Sequence, residues 1–365
     1  MEGHPAQRRV LASDYMAFAK LDTAARFNLA SSGIANCDFS DLGAELSDLV
    51  LHSDQPYGYG PLAARIAARF GVDPACVAIP GGGCSFANHL AMAALVSPGD
   101  EVLVETPTYE LLIATLGYLR ARIRRFERPA GRLDPDAAIA AMGEATRLII
   151  LTDLHNPTSA PAAEADVAAV ARAADRIGAG VLVDEVYLEL TFAAGGARTA
   201  FREDANVIVT SSLTKAYGLS GLRCGWIIAP RALAARMRRL NDLYGVQPPH
   251  LTERLAMKAF DNLANLRARA SALTTANRAA YREILAGHPG LDQTVFDQGT
   301  TVFPRLVGGD GDAFFRLLMD RYETSVVPGR FFGAPDHLRI GLGGDPAASR
   351  EGYARIAEAL EGPRA

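Results

Sequence analysis

The sequence predicts an α/β fold: a large domain built on a mostly parallel sheet flanked by helices, with a smaller α/β domain attached. Three observations predict it. A chain of 365 residues exceeds what one small core holds and suits a large domain with a companion. From about residue 60, helical and strand-like signals alternate, which is the pattern of a parallel sheet covered by helices. The short apolar or β-branched runs each stop where a polar motif begins. That places polar side chains at the carboxyl ends of parallel strands, where open α/β sheets bind ligands.

Each element follows from local pattern. Residues 61–70 read as a helix. Val77, Ala78 and Ile79 lead into a glycine turn and then a helix over 85–96. Ser97-Pro98-Gly99-Asp100 is a turn before a strand over 101–105. The runs 147–152, 180–184 and 206–210 are of buried-strand type, and the Ala-rich stretch 162–174 is helical. Residues 251–286 keep apolar residues three or four apart without proline, which predicts one long helix linking the domains. Beyond Gly290 come strand-like 300–303, a helix over 312–322 and a strand over 337–341. The expected division is a large domain over 50–250, an interdomain helical segment over 251–286, and a small domain made of 1–49 with 287–365.

Composition narrows the function. With 49% hydrophobic and 21% charged residues the chain is of soluble globular type. A net charge of −4 and a pI near 6.0 give no support for nucleic-acid binding, so small-molecule chemistry is expected. The first nine residues lack the apolar core of a signal peptide, and no uncharged apolar run reaches membrane-spanning length; a cytoplasmic location is expected. Cys37, Cys76, Cys84 and Cys224 are scattered without paired spacing, and are expected as free thiols with no metal site.

Only three of the 37 basic residues are lysine: Lys20, Lys215 and Lys258. Generic positive charge is written with arginine here, so a retained lysine is wanted for its amine, which unlike a guanidinium can become neutral and nucleophilic. Lys20 and Lys258 lie in contexts that read as helix surface. Lys215 lies in Ser212-Leu213-Thr214-Lys215-Ala216-Tyr217-Gly218-Leu219-Ser220-Gly221-Leu222-Arg223-Cys224-Gly225-Trp226. This stretch resembles the lysine segment of the fold-type I pyridoxal 5'-phosphate (PLP) enzymes, the class I/II aminotransferases of the aspartate aminotransferase superfamily. Further segments over about residues 50–345 agree in the family's order.

The resemblance implies a PLP Schiff base on Lys215, with the other motifs holding different edges of the cofactor. Val183-Asp184-Glu185-Val186-Tyr187 is similar to the family's D-E-x-Y. It implies Asp184 against the pyridine nitrogen and Tyr187 at the 3'-oxygen; alone, an acidic helix start after a strand fits as well. Asn156-Pro157-Thr158-Ser159 resembles N-P-x-G, with Asn156 at the 3'-oxygen and beside the substrate, and Ser159 where the family has glycine. His155 is read as a histidine satisfied by its neighbours. Gly83, Cys84 and Ser85 fall at the phosphate-loop positions, where a helix N-terminus offers free N–H groups, and Ser212 and Arg223 complete the cup. Tyr109 is implied over the ring face, and Arg339 on the substrate α-carboxylate.

The expected reaction is transfer of an amino group from an amino acid to a 2-oxo acid, Lys215 removing and returning the proton. A lyase, decarboxylase or cyclising enzyme would share the same cofactor residues. A homodimer is expected, with Tyr57 or Tyr59 reaching the neighbouring phosphate site.

Overall fold

Among the residues described in this computed structural model, 9–191 and 197–362, seven strands form the central sheet. Their spatial order is Val77–Ala78, Gly225–Ile228, Val207–Ser212, Gly180–Asp184, Thr146–Thr152, Glu101–Thr106 and Arg122–Glu127. Gly225–Ile228 runs antiparallel to both its neighbours, and the remaining pairings are parallel. The N-terminal stretch read above for a targeting signal lies outside the described residues up to position 8. No described helix is long and apolar enough to cross a membrane.

The strands read as unbroken apolar runs because both faces of the sheet are covered. Leu148, Ile150, Leu182 and Ile208 face one side and pack with Leu90 and Ala91 of the helix Gly83–Leu95 and Met237 of the helix Arg231–Asn241. Ile149, Leu151, Val181, Val183, Val207 and Val209 face the other, against Val167 and Val170 of Glu164–Arg176 and Leu62 and Ile66 of Gly60–Phe70. Register brings Thr152 opposite Asp184 and Asp184 opposite Thr210, so the polar ends of three neighbouring strands stand at one level.

A second core gathers the C-terminal part. The strands Thr301–Val302, Leu338–Gly341 and Val327–Pro328 form an antiparallel sheet. Ile340, Tyr281, Leu318 and Tyr353 pack in one cluster, joining that sheet to the helices Leu263–Ile284, Gly311–Tyr322 and Pro346–Glu361. The N-terminal segment joins here, since Phe27–Asn28 pairs in parallel with Thr324–Ser325.

The single helix expected over 251–286 is two helices, His250–Asp261 and Leu263–Ile284. Asn262 leaves helical geometry between them, at φ −106° and ψ 15°, and its side-chain amide donates to the Asp41 carbonyl at 2.6 Å. An asparagine that bonds elsewhere competes with the helix ladder, so apolar spacing alone did not expose the break.

One buried ion pair binds the ends of the strands. Arg128 Nη1 donates to Glu105 Oε2 at 2.6 Å and to the Thr152 carbonyl at 3.0 Å, while Arg128 Nε reaches the Gly131 carbonyl at 2.9 Å. Both side chains of the pair are fully buried. Removing one partner leaves the other charge dehydrated and uncompensated, at a cost of about 3–5 kcal/mol. Arg128→Ala is therefore expected to lower unfolding stability by that amount in urea titration; a loss under 1 kcal/mol would refute this role.

Candidate active site

A cavity of about 190 Å³ opens at the carboxyl ends of the sheet strands, lined by Lys215, Asp184, Tyr187, Asn156, Tyr109 and Arg223 among others. Cys84, Ser85 and Ser212 line it too, as do Tyr15, Met16 and Ala19 of the N-terminal helix Asp14–Leu21. Of the expected site residues, Gly83 lies at the first turn beneath it, Arg339 bonds groups on its wall, and Tyr57 is elsewhere.

The helix Gly83–Leu95 begins on three successive glycines with φ of +77°, +65° and +73°. Side chains rarely tolerate that region, and it aims the unpaired N–H groups of the first turn outward. Crowding repeats the demand: a Cβ on Gly83 would lie 2.7 Å from Arg223 Nη2, and one on Gly225 would lie 2.3 Å from the Gly83 carbonyl carbon. Arg223, itself at φ +47°, donates through Nη2 to the Gly82 carbonyl at 2.7 Å. The Gly83 N–H is tied to the Arg223 carbonyl at 2.7 Å, which fixes the loop to the strand that follows the lysine segment.

Lys215 follows the strand Val207–Ser212, and burial depresses its amine below the usual lysine range, the nearby Tyr15 phenol opposing this. Depression favours the neutral, nucleophilic form. Asp184 ends its strand with both oxygens engaged: Asn88 Nδ2 donates to Oδ2 at 2.7 Å, and the Val186 N–H and Cys84 Sγ approach Oδ1 at 3.0 and 3.3 Å. Burial pushes the carboxyl up, and these donors pull against it without cancelling it. The Cys84 thiol is pushed well up by burial and the Asp184 charge, so it is not poised as a nucleophile.

Tyr187 donates to Ser32 Oγ at 2.8 Å. The Asn156 N–H donates to Thr152 Oγ1 at 3.1 Å, and its Oδ1 accepts from Arg339 Nη1 at 3.3 Å. Arg339, 1% exposed, also donates through Nη2 to the Tyr15 hydroxyl at 2.8 Å and to the Ala30 carbonyl at 3.0 Å. Burial pushes the Tyr15 phenol up, yet the Arg339 and Lys215 charges outweigh it and the net shift is down. Tyr15 meets Tyr109 edge to face, centroids 5.1 Å apart. His155 is buried with Nε2 at the Pro107 carbonyl (2.9 Å) and Nδ1 at Thr158 (2.7 Å), and burial, with Arg128 adding to it, holds it well below the usual histidine range.

Tyr57 and Tyr59 differ in situation. Tyr59 is engaged within the chain, accepting from Arg254 Nη1 at 2.9 Å and meeting the His250 ring edge to face. Tyr57 is 49% exposed, in a groove with Val246 and Pro248. Sequence reasoning missed Tyr15, Met16, Ala19 and Asn88. An amphipathic N-terminal helix and a polar residue inside a helix carry no motif; only assembly brings them to the cavity.

A buried lysine of depressed pKa, a carboxylate at a strand end and a glycine-built helix start together suit a site for a phosphorylated carbonyl cofactor. The chain belongs to the class I and II aminotransferases, whose family description matches residues 50–356. It is 31% identical over 353 residues to capreomycidine synthase of Streptomyces vinaceus, covering 92% of this chain and 90% of that one. It is 32% identical over 290 residues to an arginine–pyruvate transaminase of Pseudomonas aeruginosa, covering 75% and 72%. A PLP-dependent aminotransferase from Streptococcus suis shares the fold with TM-score 0.85 at 20% identity, over 95% of this chain and 96% of that one.

The enzyme is PLP-dependent. The residues fit that cofactor: one cavity brings Lys215, Asp184 and Arg223 together with Cys84 and Ser85 at a helix start, and among the described residues the buried Thr214 Oγ1 beside Lys215 has no hydrogen-bond partner. Ser159, at the family's glycine position, adopts φ +64°, and its hydroxyl lies 2.8 Å from the Thr301 carbonyl and 3.0 Å from Thr301 Oγ1. That anchoring offsets the backbone strain. Ser159→Ala keeps the strain and loses the bonds, and is expected to cost about 1–3 kcal/mol in denaturant unfolding. Ser159→Gly should cost less, because relief of left-handed strain returns about 1 kcal/mol; the reverse order would overturn this account.

Proposed function

We propose that this enzyme is an aminotransferase, passing the amino group of an amino acid to a 2-oxo acid. The observation that carries the reading is the buried Lys215 amine, its pKa depressed by that burial, in one cavity with Asp184 and within the electrostatic reach of Arg339. When bound, PLP supplies an aldehyde that captures amines and a ring that accepts electron density from the substrate's α-carbon.

Each residue then has a task. The N–H groups of Cys84 and Ser85, on the turn that Gly83 opens with its own N–H tied to the Arg223 carbonyl, would hold the phosphate with Ser212 and Arg223. Asp184 would face the pyridine nitrogen, Tyr187 and Asn156 the 3'-oxygen, and Tyr109 the ring face. Arg339 would clamp the α-carboxylate, with Asn156 and Tyr15 already at its guanidinium to set its direction. Lys215 Nζ would take the proton from the α-carbon and return it on the cofactor side. His155 is left out, since both ring nitrogens already have partners.

A second reading, a cyclising enzyme, is favoured by the near full-length likeness to capreomycidine synthase. The two separate on the fate of nitrogen. Incubated with α-¹⁵N-labelled amino acids and unlabelled 2-oxo acids, an aminotransferase passes the label to the acceptor and releases a 2-oxo acid from the donor. Label retained in a ring-closed product would replace the proposal with the second reading. Lys215→Ala should keep PLP affinity within about tenfold through the phosphate contacts while turnover falls by about 10³-fold or more.

The proposed working unit is a cytoplasmic homodimer, with the domain division over 50–250, 251–286 and 1–49 with 287–365. Exposed Tyr57 and Val246 share one groove, supporting an apolar face for a second copy. Tyr57, free of Tyr59's internal contacts, would reach the partner's phosphate site. Mixing Lys215→Ala with Tyr57→Ala subunits is expected to restore activity above the sum of the two, because each hybrid dimer holds one intact site; strict additivity under proven subunit exchange argues against shared sites.

A further inference from the structure

We propose that Asn88 is a positioning residue for Asp184: oriented by Thr210, it turns a hydrogen-bond donor to the carboxylate and keeps that group an anion aimed at the cofactor ring. The inference rests on the reading that Asp184 faces the pyridine nitrogen, and it extends the site to Asn88 on the cavity lining and to the buried Thr210 behind it.

The geometry allows one arrangement of the amide. Asn88 and Cys84 lie four residues apart in the helix Gly83–Leu95, hence on one face, and both reach Asp184. Asn88 is 4% exposed and Thr210 0%. The Thr210 hydroxyl donates to Asn88 Oδ1, so the acceptor end of the amide is taken and its Nδ2 points at Asp184 Oδ2, 2.7 Å away. Flipping the amide would set oxygen against oxygen and strand the Thr210 hydroxyl. Thr210 is itself the strand partner of Asp184, so Asn88 spans two neighbouring strands from the helix above.

Every bond that Asp184 accepts comes from a donor: Asn88 Nδ2, the Val186 N–H and the Cys84 thiol. Donors stabilise the anion against burial, which drives the carboxyl toward its neutral form. The titratable groups facing Asp184 are Cys84 from the helix, Tyr187 after its own strand, Tyr109 at the start of the helix Glu110–Tyr118, and Lys215 after the next strand. Of these Lys215 is the cation, and its amine is held toward neutrality. Among the polar contacts, the Asn88 bond is the shortest that Asp184 receives. Without it the carboxyl takes a proton more readily, and the ring nitrogen loses the charge that holds its own proton.

The test uses the PLP-loaded enzyme, with ¹⁵N in the pyridine ring, in wild type, Asn88→Leu and Thr210→Val. Ring-nitrogen protonation is read by NMR across pH, and kcat and KM by steady-state assay. Asn88→Leu is expected to move the ¹⁵N resonance from the pyridinium position toward the unprotonated one, to lower kcat about 10–100-fold with KM changed by less than about threefold, and to shift the acid limb of the kcat profile to higher pH. The sign follows from the lost donor: the carboxyl pKa rises, so the anion and the activity return only as pH increases. Thr210→Val, which frees the amide to turn, should shift both readouts in the same direction by less. A merely structural role would scale the pH profile without moving it and leave the resonance in place. An unmoved resonance in both variants overturns the inference, provided Asp184→Asn does move it; if Asp184→Asn also leaves it unmoved, the reading of Asp184 itself falls.

Discussion

The dehydrated pair of Glu105 and Arg128 is the constraint from which the rest of the site hangs. Parallel strands that end together leave carbonyls and polar side chains crowded in one dry layer, and each must find a partner. Glu105 answers for the Thr152 N–H at 3.0 Å and for its hydroxyl at 2.5 Å, and Arg128 for the Thr152 carbonyl. The Thr152 hydroxyl, with its proton committed to Glu105, is then an acceptor for the Asn156 N–H. Asn156 in turn accepts from Arg339, and Arg339 holds the Tyr15 hydroxyl. A polar line thus runs from the sheet's end, along the cavity wall, to the N-terminal helix that lines it.

That line explains why residues remote in sequence act as one site. Arg339 sits in the C-terminal sheet, Tyr15 in the N-terminal helix and Asn156 in a loop of the central sheet, yet one guanidinium touches all three regions. Burying an arginine is costly unless its donors are met. Among the described residues its Nε has no partner, while Nη1 and Nη2 are spoken for. The cofactor end has the same economy of means: glycine in left-handed geometry where the backbone must close up, and serine in the same geometry only where Thr301 anchors it.

Much of this was legible in the sequence, for physical reasons that also mark where it was not. The inner strands were readable because burial on both faces demands continuous apolar runs. The strand Arg122–Glu127 was hidden because an edge strand carries charge outward, and its arginines look like a solvated loop. The lysine segment and Asp184 were readable because the chemistry restricts residue type at fixed spacing. Asn88 was not, since a polar residue inside an apolar helix announces only that something buried needs it. The helix break at Asn262 was masked by apolar spacing that continues across it.

The scarcity of lysine has a practical side for anyone attaching this enzyme to a surface. Besides Lys215, the side-chain amines are Lys20, in the last turn of the helix whose Ala19 lines the cavity, and Lys258, paired with Asp48 at 3.2 Å. Coupling through side-chain amines would therefore fasten the protein by a helix that lines its own cavity, by a residue already engaged in an ion pair, or by Lys215 inside the cavity. Its arginine-written exterior leaves terminal-tag chemistry as the gentler handle, since Cys76, Cys84 and Cys224 are buried and Cys37 is half-buried.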